Sequence, residues 1–212
     1  MKRTYMGRTY PPQTSEVWIG ESKTYLREGA VVTITRPDLH KRWIVNQRTK
    51  KYLEEPYPSP PSAPPQKAPF RIQEYGWDYE PVYEWSAKAT GEAAVIDGRT
   101  CEKIVLTGEA DYGSEVREIW IAKDVPVDLP AYMSQILEPN LEAALVPLYR
   151  ETSLLRSGLA VKTVTTMERP IAHPIVYENV LTKVEKTDAP SGTYDLPPGF
   201  TPAKTREEWS GR

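Results

Sequence analysis

A single cysteine, Cys101, stands in 212 residues, so no disulfide can close within the chain. The redox compartment therefore cannot be read from bridges. Histidine is almost as scarce. His40 and His173 lie far from each other and from Cys101 in sequence, which leaves no ligand spacing for a metal. Nor is there a local base to make the thiol a nucleophile. An excess of one charge is missing too: 27 basic residues face 29 acidic ones, for a formal net charge of −2. Such a balance indicates neither a nucleic-acid surface nor attraction to an anionic membrane. No apolar run reaches 18 residues, the length that a transmembrane helix requires. The GxxxxGK-S/T phosphate loop, the GxGxxG dinucleotide turn and the GxSxG nucleophile elbow are all absent. Residues 109–115, EADYGSE, lack the Asp/Asn ladder of a calcium loop. Carboxylates are numerous, but nothing selects two of them as a glycoside-cleaving pair. The reading is a protein that is not an enzyme and has no metal site and no cofactor.

Other residues are abundant. There are 21 prolines, 13 tyrosines and 6 tryptophans against 2 phenylalanines. Amphipathic rings suit sheet faces and binding walls, and proline punctuates strands and loops more than helices. Residues 15–27 and 30–36 read as strands about the Glu28-Gly29 turn, and 42–47 with 50–54 as a further hairpin. Further strands are expected near 82–95, 99–108, 115–123, 158–168 and 174–186. Seven prolines crowd residues 55–69, EPYPSPPSAPPQKAP, a proline-rich loop of polyproline II character that reads as a connector more than as a PxxP ligand. Behind it, Tyr75, Trp77 and Tyr79 share one strand face, where cross-strand packing is favoured over stacking on a sugar.

Residues 95–108, VIDGRTCEKIVLTG, set out a hairpin about Asp97-Gly98. A two-residue loop pairs Ile96 with Arg99, Ala94 with Cys101 and Glu92 with Lys103. A thiol opposite alanine, next to an opposite-charge pair, is sheet packing. Cys101 is thus expected to be structural.

Residues 130–148 carry the one strong helical pattern. Met133, Ile136, Leu137, Leu141, Ala144, Leu145 and Leu148 fall on one stripe. Asp128 is placed to cap and Pro130 suits the first turn, whereas Pro139 should kink or split the helix. The stripe reads as packing against a sheet, in a form that could also act as a lid.

The order of these elements resembles that of the LolA/LolB/LppX-like superfamily of periplasmic lipoprotein carriers, and within it an uncharacterised domain family. The similarity runs through Tyr25, Arg27, Gly29 and Val31, then Trp43, Val45, Thr49 and Tyr52. It continues in IDGRTCEKIVLTG, EIWIAKDVPVDLP and the closing VEKTDAPSGTYDLPPGF. The long proline insert departs from the pattern, and no leader or lipobox cysteine is visible. The resemblance implies a mainly β (α+β) fold: an open, strongly bent antiparallel sheet, or half-barrel, of about ten strands with a helix over its concave face. The agreeing expectation is one domain over 1–212, with a C-terminal tail at 200–212. Its function would be non-enzymatic: periplasmic or secreted binding of a hydrophobic ligand, such as a lipid, an acyl chain or a lipidated envelope protein, in a cleft between sheet and helix. The expected ligand-binding wall is Trp43, Val45, Trp120, Met133, Leu137 and Leu141. The competing readings are an interaction module using residues 75–85 and the proline loop, and, behind it, a glycan-active enzyme.

Overall fold

The computed structural model describes residues 2–5, 8–57, 83–110, 113–138, 141, 144–169 and 172–211. In chain order the strands are β1 (Lys2–Tyr5), β2 (Arg8–Tyr10), β3 (Ser15–Gly20), β4 (Lys23–Glu28), β5 (Val31–Arg36), β6 (Lys41–Asn46) and β7 (Lys51–Pro56). They continue with β8 (Glu84–Ile96), β9 (Arg99–Ala110), β10 (Gly113–Ala122), β11 (Leu159–Arg169), β12 (Ala172–Val180) and β13 (Thr201–Pro202). Helix α1 (Leu129–Tyr132) runs directly into a π-helical turn, Met133–Leu137; α2 is Val146–Glu151 and α3 is Arg206–Ser210. The protein is mainly β, as expected.

The strands form two open sheets rather than one sheet of about ten. One has seven strands in the order β2-β1-β12-β11-β10-β9-β8, the other six in the order β13-β7-β6-β5-β4-β3. The chain divides accordingly into two compact units: residues 1–12, 63–125 and 141–183, and residues 13–62, 126–140 and 184–212. The expected strand at 15–27 is in fact a hairpin, because Glu21 and Ser22 make a turn between β3 and β4. Strands β1 and β2 went unread, since three or four residues are too few to show a period.

The seven-stranded sheet explains its own sequence. In β9 and β10 the alternate residues Ile104, Leu106, Ile119 and Ile121 are buried, and α2 packs nearby against β8. On the other face, Cys101, Ala122 and Val161 form a cluster with Ile96, Trp120, Val125 and Leu181. The Asp97-Gly98 hairpin has the expected register, Ile96 to Arg99 and Ala94 to Cys101. A bulge then intervenes between Ala89 and Ala93, where Gly91 takes φ +73. Glu92 is therefore not a backbone partner of Lys103, yet its carboxylate still reaches the ammonium at 3.3 Å. Near the far end of β9, Gly108 lets the Trp85 ring lie flat on the strand. A Cβ there would come within 3.0 Å of three ring carbons. Arg117 lies over that ring, 4.8 Å from its centroid, and pairs with the buried Glu115.

In the six-stranded sheet, register puts Trp18, Tyr25, Ile34 and Trp43 in one cross-strand row, with Val32, Val45 and Tyr52 on the same face. Val32, Ile34, Trp43 and Val45 are the buried core, and Tyr25, Tyr52, Leu196 and Phe200 pack on it. Of residues 200–212, read as a tail, 200–211 fold back onto the sheet. β13 runs parallel to β7, the Trp209 indole donates to the Ile44 carbonyl at 2.9 Å, and Asn46 and Thr49 donate to the Trp209 carbonyl. Thr205 caps α3 through the Glu208 amide, and Gly211 closes it in the left-handed region.

Several carboxylates are held below their usual range by the cations they accept from: Glu54 by Lys41 and then the Trp43 indole, Glu178 by Lys162, Glu208 by Lys51 and then the Lys204 amide. A carboxyl with a lowered folded-state pKa adds stability above its unfolded value and loses it as pH falls through the folded value. The urea midpoint is thus expected to stay level from pH 7 to about 5 and to fall below about pH 4.3, the ordinary glutamate value. A midpoint that rises on acidification would contradict these pairings.

Candidate functional site

The helix expected over the sheet starts as its sequence dictates. Asp128 accepts from the Ala131 amide at 3.0 Å, and Pro130 sits in the first turn. It does not stay regular. From Met133 to Leu137 it widens into a π turn, a distortion often kept where a helix serves a site. The break expected at Pro139 lies outside the described residues, but the apolar stripe is divided: α1 and its π turn belong to the unit of the six-stranded sheet, α2 to the other. The π turn packs against β4, and the Tyr57 hydroxyl donates to the Ser134 carbonyl at 3.1 Å. Continuing the alternation of Glu55, which pairs with Arg42, Tyr57 falls on the sheet face that carries Arg42.

Alternation along β4 and β6 puts Thr24, Leu26, Thr33, Thr35, Arg42 and Ile44 on that face, opposite to Tyr25 and Trp43. Thr24 is fully buried. Its hydroxyl and the Gln135 side-chain carbonyl are both shut off from solvent without a hydrogen-bond partner among the described residues. Burial also pushes the Tyr132 phenol up. Two polar atoms of this kind each cost about 1–3 kcal/mol if left bare.

The expected wall residues are divided between the two units and, within the six-stranded sheet's unit, between the π turn and the Trp43 face. Met133 and Leu137 are half-buried in the π turn. Trp43 and Val45 lie on the opposite face, sealed by Leu196 and Phe200, with the Trp43 indole donating to Glu54 at 2.9 Å. Trp120 packs on the Cys101 cluster of the other unit, under the Lys103 ammonium at 5.4 Å. Leu141, half-buried, belongs to that unit as well. Tyr75, Trp77, Tyr79 and the proline-rich run at 58–69 lie outside the described residues. Cys101 is fully buried, its thiol 3.3 Å from the Arg99 carbonyl and pushed up by burial. These are the properties of an inert core thiol. Among the described residues no three Asp, Glu, His or Cys side chains gather as a metal site, and no helix is long and apolar enough to cross a membrane.

On the Trp43 face, where the core row runs outward to β3, an open cleft of about 290 Å³ lies between the sheet and residues 190–197. Trp18, Tyr25, Val32 and Ile34 line it from the sheet side. Glu16, Gln47, Ser191, Thr193 and Asp195 supply its polar groups. The covering segment is fixed. Arg36 holds Asp38 through two bonds at 2.7 and 2.8 Å, and reaches the Tyr194 carbonyl and the Asp195 carboxylate at 3.2 and 3.1 Å. Within the segment, Thr193 and Asp195 amides close successive turns onto Pro190 and Gly192. The sequence reading missed this cleft. Its local signal was the period-2 spacing of Glu16 and Trp18 in β3; its cover comes from residues 190–197, at the other end of the chain, which no local pattern links to it.

Comparison with protein-family models, with curated proteins and with solved structures finds no match.

Proposed function

We propose that the protein is a non-enzymatic binder of a hydrophobic ligand. The ligand, a lipid, an acyl chain or a lipidated protein, is held between the six-stranded sheet, bent as in a half-barrel, and the helix that covers it. The sequence resemblance to exported carriers supports the same reading and makes the compartment periplasmic or extracellular. The observation that carries the proposal is the pair of partnerless buried atoms on elements that pack together, the Thr24 hydroxyl and the Gln135 carbonyl. The hydroxyl can donate to a carbonyl or ester oxygen and the amide carbonyl can accept from a hydroxyl or N–H. Met133 and Leu137 offer apolar contact beside them, at about 0.8 kcal/mol for each methylene removed from water.

The test is binding of a dansyl fatty acid to the purified full chain, with mass spectrometry of its organic extract. A saturable probe signal and a co-purified lipid are expected. Thr24→Val keeps the side-chain shape and deletes the hydroxyl. It should weaken the probe about tenfold, as loss of one hydrogen bond does. Stability of the empty protein should hold or rise by up to about 1 kcal/mol. A variant that loses stability while binding the probe as before would show that Thr24 holds a structural water, and the proposal would fail.

A further inference from the structure

We propose that the cleft beneath residues 190–197 is a binding site for a neutral saccharide ring. It lies on the opposite face of the six-stranded sheet from Thr24, so it is distinct from the hydrophobic site and goes beyond that reading. Its floor is aromatic where it opens. Trp18 and Tyr25 are direct partners on neighbouring strands, half-buried, while Val32 and Ile34 behind them are buried. Side-by-side rings on adjacent strands make a platform, against which the C–H face of a pyranose can lie. Pro190, Gly192 and Pro197 of the covering segment complete the lining of this open cleft, whose volume suits one ring.

The polar lining selects among ligands that could fill a slot. Glu16 accepts from the Trp18 indole at 2.7 Å, which fixes that ring, and keeps carboxylate lone pairs for another donor. Asp195 is similarly used on one side by Arg36. With Gln47, Ser191 and Thr193, these groups form a lining dominated by acceptors. An anion would meet two carboxylates, and an alkyl chain would leave the polar groups without partners. A sugar presents an apolar face and a ring of hydroxyl donors, matching both halves of the cleft. The Arg36 clamp holds the covering segment in place before any ligand arrives, which reduces the ordering cost of binding.

Titration of the full chain with maltotriose, cellotriose and chitotriose at millimolar concentration, followed by tryptophan fluorescence and calorimetry, tests this assignment. At least one of the three is expected to bind. Trp18→Ala should weaken it at least tenfold, and Gln47→Leu, a lining change that leaves the core untouched, several-fold. Neither variant should alter dansyl fatty acid binding. Failure of all three sugars, or sugar binding insensitive to both variants, would overturn it. So would tighter binding of tetramethylammonium than of any sugar, since the platform would then serve a cation.

Discussion

Gly158→Ala is expected to destabilise the seven-stranded unit by about 3 kcal/mol or more, at the upper end of what overpacking costs. Gly158 is buried at the entry to β11, where the chain leaves the turn at Leu154–Arg156 and passes the end of β10. A Cβ there would intrude on the carbonyl oxygen and carbon of Ala122 and on the Ile121 side chain. The obstructing atoms are mostly backbone, and no rotamer change can move them. Ala122 and Leu159 are also register partners at the close of the β10–β11 ladder, so relief would have to come from opening that ladder. Gly98→Ala provides the contrast. Gly98 has φ +75 but open space around it, and the change should cost only the left-handed strain, about 1 kcal/mol. Urea titrations of both variants measure the difference. Equal losses would mean that close approach is not what requires glycine at 158.

Trp43→Ala should remove about 3–5 kcal/mol, the usual cost of a large aromatic truncated in a core. Trp43 is 8% exposed, packs within the cluster of Val32, Ile34 and Val45, and is covered by Leu196 and Phe200 of the returning C-terminal segment. Its loss leaves a cavity and also takes the indole N–H from Glu54. Trp43→Phe keeps most of the volume and should cost far less. The outcome decides between two roles for this residue. A core tryptophan loses stability and leaves fatty-acid binding unchanged. A ligand-wall tryptophan would do the reverse, and that result would reinstate the wall expected from sequence.

What was legible in the sequence followed from local rules. The Asp97-Gly98 turn set its hairpin register as far as Cys101, because a two-residue loop leaves few ways to pair. Beyond the Ala93–Glu102 pair registration fails at Gly91, where a bulge inserts residues and no side-chain pattern announces one. The capping of α1 by Asp128 was legible, since cap and helix lie within four residues. Its opening into a π turn was not, because the same apolar spacing fits either ladder. Of the six expected wall residues, Met133 and Leu137 fall beside the partnerless polar pair. Trp43 and Val45 lie on the face that Leu196 and Phe200 cover, since alternation says which residues share a face but not which face meets the helix.

The sequence by itself determined that this chain is mainly β, where most of its strands run and where its principal helix begins, since turn chemistry, alternation and caps act over a few residues. Only the tertiary structure decided that the strands divide into two sheets. It also decided that residues 190–211 return to cover and edge the six-stranded one, and that the Thr24 hydroxyl and the Gln135 side-chain carbonyl, on elements that pack together, are each shut off from solvent without a partner among the described residues. Those outcomes depend on which distant segments lie side by side. Burial and hydrogen-bond satisfaction settle such choices over the whole chain at once, and no window of neighbouring residues contains them.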